Sequence, residues 1–138
     1  MTALSWPKRI ALLLAAIFYI GAGILHFTKT EFYLRIVPPY IPWHLTMVWI
    51  SGICEIVGGL ALLIPSVRRA AAWGIVCLLV AVFPANIYMA TDPVAVGATS
   101  LSPLVLWGRL PLQFVFVWWV LWVSRDSQAT HATQSPAS

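Results

Sequence analysis

Apolar residues fill four long stretches of the chain, and short polar or proline-containing segments separate them. The stretches cover residues 10–27, 45–64, 70–90 and 103–123. At about 1.5 Å per residue in a helix, each is long enough to cross a hydrocarbon core of roughly 30 Å. The pattern predicts an all-α integral membrane protein, a four-helix bundle that occupies residues 1–125 as a single domain.

The first stretch follows Lys8 and Arg9, as the apolar region of a cleaved signal peptide would. It is longer than such a region usually is, and three further spans follow it, so we expect a retained helix. The polar segment 126–138 has no apolar periodicity, and we expect it to be disordered.

Composition supports a membrane location. The 138 residues are 61% hydrophobic and 9% charged, whereas about a quarter of the residues in a soluble domain are charged. So few polar groups exclude a water-soluble fold and predict contact with a lipid bilayer.

The basic residues of the connections predict the orientation of the chain. If the N-terminus is cytoplasmic, only Lys29 and Arg35 lie outside, and the third connection, residues 91–102, has no Lys or Arg. The positive-inside rule then predicts that both termini are cytoplasmic (N-in/C-in). Since these charges flank spans and form no stripe, they give no support to nucleic-acid binding. The basic residues placed inside are Lys8, Arg9, Arg68, Arg69 and Arg125.

The first outer connection, residues 28–44, contains three prolines and four aromatic residues. We expect an interfacial loop without regular helix, since Pro38, Pro39 and Pro42 oppose one. Residues 37–43 are equally well interpreted as a lid over the bundle or as an ordinary interfacial loop.

Two spans contain internal prolines, and two contain single cysteines. Pro84 and Pro111 each free a backbone carbonyl four residues earlier, which a neighbouring polar group must satisfy in a membrane. Cys54 and Cys77 form no CxxC motif, so we expect them to pack inside the bundle.

Five polar side chains near the middle or outer ends of the spans form the candidate site. An unpaired Glu or Arg in hydrocarbon costs about 2.5–3.5 kcal/mol on insertion scales. We therefore expect Glu55 and Arg109 to face each other, with the other three residues completing the hydrogen bonds. Glycines on the same helix faces, such as Gly23 and Gly59, would allow close approach. The predicted ligand-binding residues are His26, Glu55, Asn86, Arg109 and Gln113.

Other interpretations of this cluster stay open. A buried ion pair can fix helix register without any other function. A metal or haem site that includes His26 and His44 lacks ligand spacing, so no metal is predicted. The catalytic residues are unknown, with Glu55 and Arg109 as candidates.

Several segments of the chain together resemble the DoxX family of small bacterial membrane proteins. The resemblance implies a four-helix bundle in the bacterial inner membrane and a link to redox chemistry, as an oxidoreductase subunit. It marks Glu55, Asn86, Arg109 and Gln113 as a motif set without assigning a reaction. The segments are GAGILHF, YLRIVPPYIP, ISGICEIVGGLALLIPSVRRAAAWG, VFPANIYMA and LWGRLPLQ.

Three functions are compatible with these residues. The first is a redox-associated subunit that binds a quinone-like or other apolar molecule, acting with a membrane or redox partner protein or as a homo-oligomer. The second is a non-catalytic scaffold for a partner protein. The third is a proton-coupled transporter built around Glu55, against which a fixed cation at Arg109 argues, and an acid–base isomerase using Glu55 and His26 ranks below it. The expected apolar walls of the site are Tyr19, Phe83, Tyr88 and Trp107.

Overall fold

The computed structural model describes residues 4–125, and five α-helices account for most of this range. Four of them are long and apolar enough to cross a membrane, so the four-span prediction is confirmed. The chain is a multi-pass membrane protein. The predicted polar tail, 126–138, lies outside the described residues. The helices are α1 (Trp6–Thr28), α2 (Thr30–Ile36), α3 (His44–Leu62), α4 (Arg68–Thr91) and α5 (Pro103–Ser124).

The sequence explains where the long helices begin. Helices α1 and α5 each carry a proline in the first turn, where no backbone N–H is needed for the helix. The Ser102 hydroxyl accepts a hydrogen bond from the backbone N–H of Val105 and caps α5, whereas Ser5 makes no such side-chain bond ahead of α1. Helix α3 ends at Leu62, three residues before Pro65.

The four spans pack in a ring. Helix α1 packs against α3 and α5, and α4 also packs against α3 and α5. Helices α3 and α5 therefore lie across the bundle from each other. The short helix α2 contacts α1, α3 and α4 at one end of the ring, which we call the outer end.

Two apolar clusters fill the bundle, one toward each end. The cluster at the inner end draws on all four spans, and the cluster at the outer end joins α2, α4, α5 and the connection between α4 and α5. The polar centre described below lies between them along the spans. The inner cluster is Leu12, Ala15, Tyr19, Leu62, Ala72, Ile75, Val120 and Val123, and the outer one is Ile36, Met89, Ala90, Val96, Ala98 and Leu106.

Helices α1 and α3 make the closest contact, through glycines. A Cβ atom built on Gly23 would lie 2.6 Å from the carbonyl oxygen of Gly52, and one on Gly52 would lie 2.8 Å from the Cβ of His26. Such distances leave no room for a side chain. A Cβ on Gly59 would meet the Ala16 carbonyl oxygen at 3.0 Å. The prediction that small residues bring these faces together is confirmed.

The first outer connection contains a helix, which corrects the expectation of an irregular loop. Helix α2 begins after a one-residue break at Lys29 and ends at Ile36. Proline restricts the residue before it, and Val37, which precedes Pro38, is extended (φ −70°, ψ 123°). The prolines therefore end the helix and do not prevent it. Beyond it, Tyr40 and Trp43 are 76% and 74% exposed, which favours an interfacial loop over a lid.

The packing role expected of the cysteines is wrong. Both Cys54 and Cys77 are free thiols on exposed faces of α3 and α4. Because the exposed surface of the spans is largely apolar, these thiols face the same environment as the neighbouring lipid-directed side chains, such as Ile53 and Val80.

At the inner end, two buried cations lie at the C-termini of helices. The ammonium of Lys8 donates to the carbonyl of Arg125 and lies 6.0 Å from the centroid of the Trp122 ring. The Nε of Arg68 donates to the carbonyl of Leu62 at 2.8 Å. Cations at these positions satisfy orphan carbonyls and complement the helix dipole.

Candidate functional site

Glu55 of α3 meets His26 of α1 where the two helices approach most closely. The Nδ1 atom of His26 lies 3.2 Å from Oε2 of Glu55, and the two side chains are only 9% and 13% exposed. The same Nδ1 atom lies 3.0 Å from the Ala22 carbonyl oxygen. Because a carbonyl only accepts, Nδ1 carries a hydrogen, and that hydrogen points to Ala22. Oε2 of Glu55 is therefore close to the imidazole yet has no hydrogen bond within the described chain.

Tyr33 covers the outer side of this pair. Its ring stacks on the His26 ring with the centroids 3.8 Å apart and an interplanar angle of 25°. The hydroxyl of Thr30 donates to the His26 carbonyl at 2.8 Å and ties the start of α2 to the end of α1. Helix α2 thus holds an aromatic ring over the imidazole that faces the Glu55 carboxylate.

The charges of Glu55 and Arg109 both act on Tyr33. Burial, first, and the nearby Glu55 carboxylate, second, raise the pKa of the Tyr33 phenol above its ordinary value, while Arg109 acts in the opposite direction. Tyr33 is therefore sensitive to charges on both sides of the polar centre.

The second half of the centre is a chain of hydrogen bonds between α4 and α5. Arg109 donates through Nη2 to Oδ1 of Asn86 at 3.4 Å, and Asn86 donates through Nδ2 to Oε1 of Gln113 at 2.7 Å. Gln113 then donates through Nε2 to the carbonyl of Leu79. This carbonyl adjoins that of Val80, the one Pro84 leaves without its helical partner. A polar side chain near a proline break fits the expectation for membrane helices.

The expected direct pair between Glu55 and Arg109 is wrong. Within residues 4–125 the ion pairs are His26 with Glu55 and an exposed contact of 4.0 Å between Arg35 and Glu31. The reason lies in the ring of helices: α3 and α5 are on opposite sides, so each charge meets first a polar residue of an adjacent helix. The structure brings together His26 with Glu55, and Asn86 with Arg109 and Gln113.

Tyr19 belongs to the polar centre through its hydroxyl group, although only an apolar wall was expected of it. Its hydroxyl is buried, lies within electrostatic reach of Glu55 and has no hydrogen-bond partner in the described chain. The sequence did contain a signal, since Tyr19, Gly23 and His26 share one face of α1. Of the other expected walls, Phe83 and Tyr88 are half-buried, but Trp107 is exposed and points away from the bundle.

An open groove of about 500 Å³ lies outside the polar centre, at the junction of α1 and α2. Residues 27–32 and Arg35 line it, and none of them belongs to the polar centre. The groove is a surface feature of the outer rim, separate from the buried polar atoms. Across residues 4–125, no three His, Cys, Asp or Glu side chains are grouped closely enough to hold a metal ion.

Comparison with known proteins identifies the family. Residues 14–124, most of the chain and all of the polar centre, match the family DUF8561, described as a domain of unknown function. The chain belongs to this family. The matching family is not DoxX, so the DoxX resemblance rests on the sequence segments alone. No curated protein and no solved structure matches the chain.

Proposed function

We propose that the polar centre binds an apolar small molecule through its polar head group, with a quinone-like compound as the representative ligand. The observation that carries the proposal is a pair of buried atoms, Tyr19 Oη and Glu55 Oε2, that lack hydrogen-bond partners among the residues the structure describes. In a membrane interior no bulk water satisfies such atoms, and each unmade bond costs several kcal/mol. A bound molecule that supplies the missing bonds removes this cost.

The surroundings of these atoms support an amphipathic ligand. The stacked rings of His26 and Tyr33 form one wall, and the half-buried Phe83 and Tyr88 belong to the neighbouring helix. Arg109 has four further N–H groups besides its single long bond to Asn86. It is the proposed contact for a carbonyl oxygen of the ligand, while Glu55 is the proposed proton acceptor or donor.

A redox role is part of the proposal and rests on the DoxX resemblance. Quinone chemistry needs a source of electrons, and the sequence has no CxxC motif of its own. We therefore propose a subunit that acts with a redox partner protein in the bacterial inner membrane. The N-in/C-in orientation belongs to the same proposal, and the contact between Lys8 and Arg125 supports it by placing these two cytoplasmic candidates at one end of the bundle.

The test is extraction of the ligand. The full chain is purified from its native membrane in a mild detergent, and bound lipid-soluble compounds are identified by mass spectrometry. We expect a stoichiometric apolar compound with the wild-type protein and its loss with Glu55→Leu, whereas Cys54→Leu, on the exposed side of the same helix, retains it. A wild-type protein that carries nothing and shows no quinone response in membranes would refute the proposal.

A proton-coupled transporter is the second candidate, because the structure weakens the argument against it. That argument placed the fixed cation of Arg109 beside Glu55, whereas the adjacent group is the titratable His26, 3.2 Å away. Vesicles containing the protein distinguish the two candidates: a transporter produces a substrate-dependent proton flux that Glu55→Gln abolishes, and a ligand-binding subunit produces none.

A further inference from the structure

We propose that the polar centre selects a ligand whose head group donates a hydrogen bond, such as a phenol or quinol hydroxyl, over a head group that carries carbonyl oxygens alone. This inference rests on the proposed function and specifies the chemical class of the ligand. It follows from counting which donors and acceptors of the centre are already used.

On the α4–α5 side, the amide groups are used within the protein. Asn86 donates to Gln113, and Gln113 donates to the backbone of Leu79. Each amide uses one of its two N–H groups in these bonds, and Arg109 uses one of five, so this side can still donate to a carbonyl oxygen and the preference between head groups is set on the α1–α3 side.

On the α1–α3 side, the buried polar atoms without partners in the described chain include an acceptor that requires a donor. Within residues 4–125, Oε2 of Glu55 is buried without a hydrogen bond, since the His26 Nδ1 hydrogen 3.2 Å away is directed to Ala22. A carboxylate oxygen accepts and so requires a donor, whereas the Tyr19 hydroxyl, likewise buried and without a partner in that range, both donates and accepts.

In the proposed complex, one ligand hydroxyl serves both atoms. Its hydrogen donates to Oε2 of Glu55, and its oxygen accepts from the Tyr19 hydroxyl. A carbonyl oxygen accepts from Tyr19 but places a second acceptor against Oε2, which stays unsatisfied. A site rejects an analogue that lacks one hydroxyl because binding that analogue would leave a buried polar atom unpaired.

Three probes of nearly equal size separate these cases: a para-alkylphenol, its methyl ether and the alkyl benzoquinone. Their binding to the full chain in detergent micelles is measured by quenching of the intrinsic tryptophan fluorescence and by calorimetry. We expect the phenol to bind at least about tenfold more tightly than either of the other two, in line with the discrimination that one unpaired buried group provides.

Two variants locate the preference. Tyr19→Phe removes only the hydroxyl that donates to the ligand oxygen, so it should weaken the binding of phenol and ether alike, several-fold, and leave their affinity ratio unchanged. Glu55→Leu should reduce the ratio of phenol to ether affinity to about one, whereas Cys54→Leu should preserve it. If Glu55→Leu fails to fold, Glu55→Gln takes its place, because its amide can donate to an ether or carbonyl oxygen and the ratio should again fall toward one.

The failures of the two proposals are distinguishable. Equal affinity for all three probes, or a phenol preference that survives replacement of Glu55, overturns the inference and leaves the proposed binding site unaffected. The inference is also overturned if only the benzoquinone binds, because a buried water would then occupy the position proposed for the ligand hydroxyl. If no probe binds and no compound is extracted from the native protein, the proposed function itself is refuted.

Discussion

His26 and Glu55 face each other across the closest helix contact of the bundle, with Nδ1 and Oε2 3.2 Å apart, although the Nδ1 hydrogen is directed to Ala22. The contact is electrostatic more than it is a hydrogen bond. The carboxylate is held where Gly23 and Gly52 permit the backbones to approach. Oε2 of this carboxylate has no hydrogen-bond partner in the described chain, and the proposed ligand binding rests on that property.

A double-mutant cycle tests this pair. We expect His26→Leu to lower the free energy of unfolding by about 3–5 kcal/mol, because it leaves a buried charge without a favourable neighbour. Combined with Glu55→Leu, it should show a coupling of at least about 1 kcal/mol, near the upper range found between membrane helices. The measurement is unfolding in mixed micelles with increasing denaturing detergent.

The control cycle uses Arg109→Leu in place of His26→Leu. Because α3 and α5 lie across the ring, its coupling to Glu55→Leu should be below about 0.5 kcal/mol. A stronger coupling of Glu55 to Arg109 than to His26 would contradict the arrangement of the polar centre.

The glycine contact gives a second prediction. Gly23→Ala should lower the free energy of unfolding by about 1–3 kcal/mol, since the new Cβ meets the backbone of Gly52 and overpacking has costs of this size. The backbone of Gly52 cannot move aside as a flexible side chain can. Thermal denaturation followed by size-exclusion chromatography reports the loss.

Gly21→Ala is the matched control for Gly23→Ala. It lies two residues away on the same helix, and its Cβ meets nothing within 4 Å. We expect it to be neutral or slightly stabilising, because alanine favours a helix more than glycine does. Equal losses for the two variants would show that α1 and α3 are not in contact at Gly23.

The sequence predicted the fold better than it predicted the site. Span length and apolar composition are local properties, so four helices follow from them directly. The pairing of Glu55 depends instead on the order of helices around the ring, which no local pattern encodes. Pairing by opposite charge predicted that Glu55 meets Arg109. The order of the helices instead places His26 beside Glu55 and Asn86 beside Arg109.

Helix α2 shows a second limit of sequence reasoning. Proline acts on its own position and on the residue before it, so it determines where a helix stops and leaves the preceding turns free. Treating residues 28–44 as one loop concealed a helix that ends at Ile36 and carries Tyr33 to the polar centre.

The titration of Tyr33 is a third prediction. Its pKa is raised by burial and by Glu55 and lowered by Arg109. Glu55→Gln should therefore shift the ionisation of the phenol to lower pH, and Arg109→Gln should shift it to higher pH. The difference in ultraviolet absorbance between each variant and the same variant carrying Tyr33→Phe isolates this residue.

The sign of the linkage to stability follows from the same shift. A phenol whose pKa is higher in the folded protein stabilises the fold below its unfolded pKa, and that contribution is lost as the pH rises toward the folded pKa. The wild-type protein should lose more stability than Tyr33→Phe above about pH 10, the ordinary tyrosine value. Shifts of the same sign in both Gln variants would show that Tyr33 does not lie between the two charges.

The arginine pair at the inner end gives the last prediction, because one member is buried and its neighbour in the same turn is exposed. Arg68 is buried and donates to the Leu62 carbonyl at 2.8 Å, whereas Arg69 is exposed. Replacing either by Met removes one positive charge from the same turn, so the effect on membrane orientation is equal. Arg68→Met should also leave the end of α3 without a buried donor and cost about 1–3 kcal/mol, while Arg69→Met should cost less than about 0.5 kcal/mol.

Orientation is read from the accessibility of an introduced terminal tag, and stability from detergent unfolding. If the two variants lose equal stability, the inner turn acts only through its charge, and Arg68 is not a capping residue of α3.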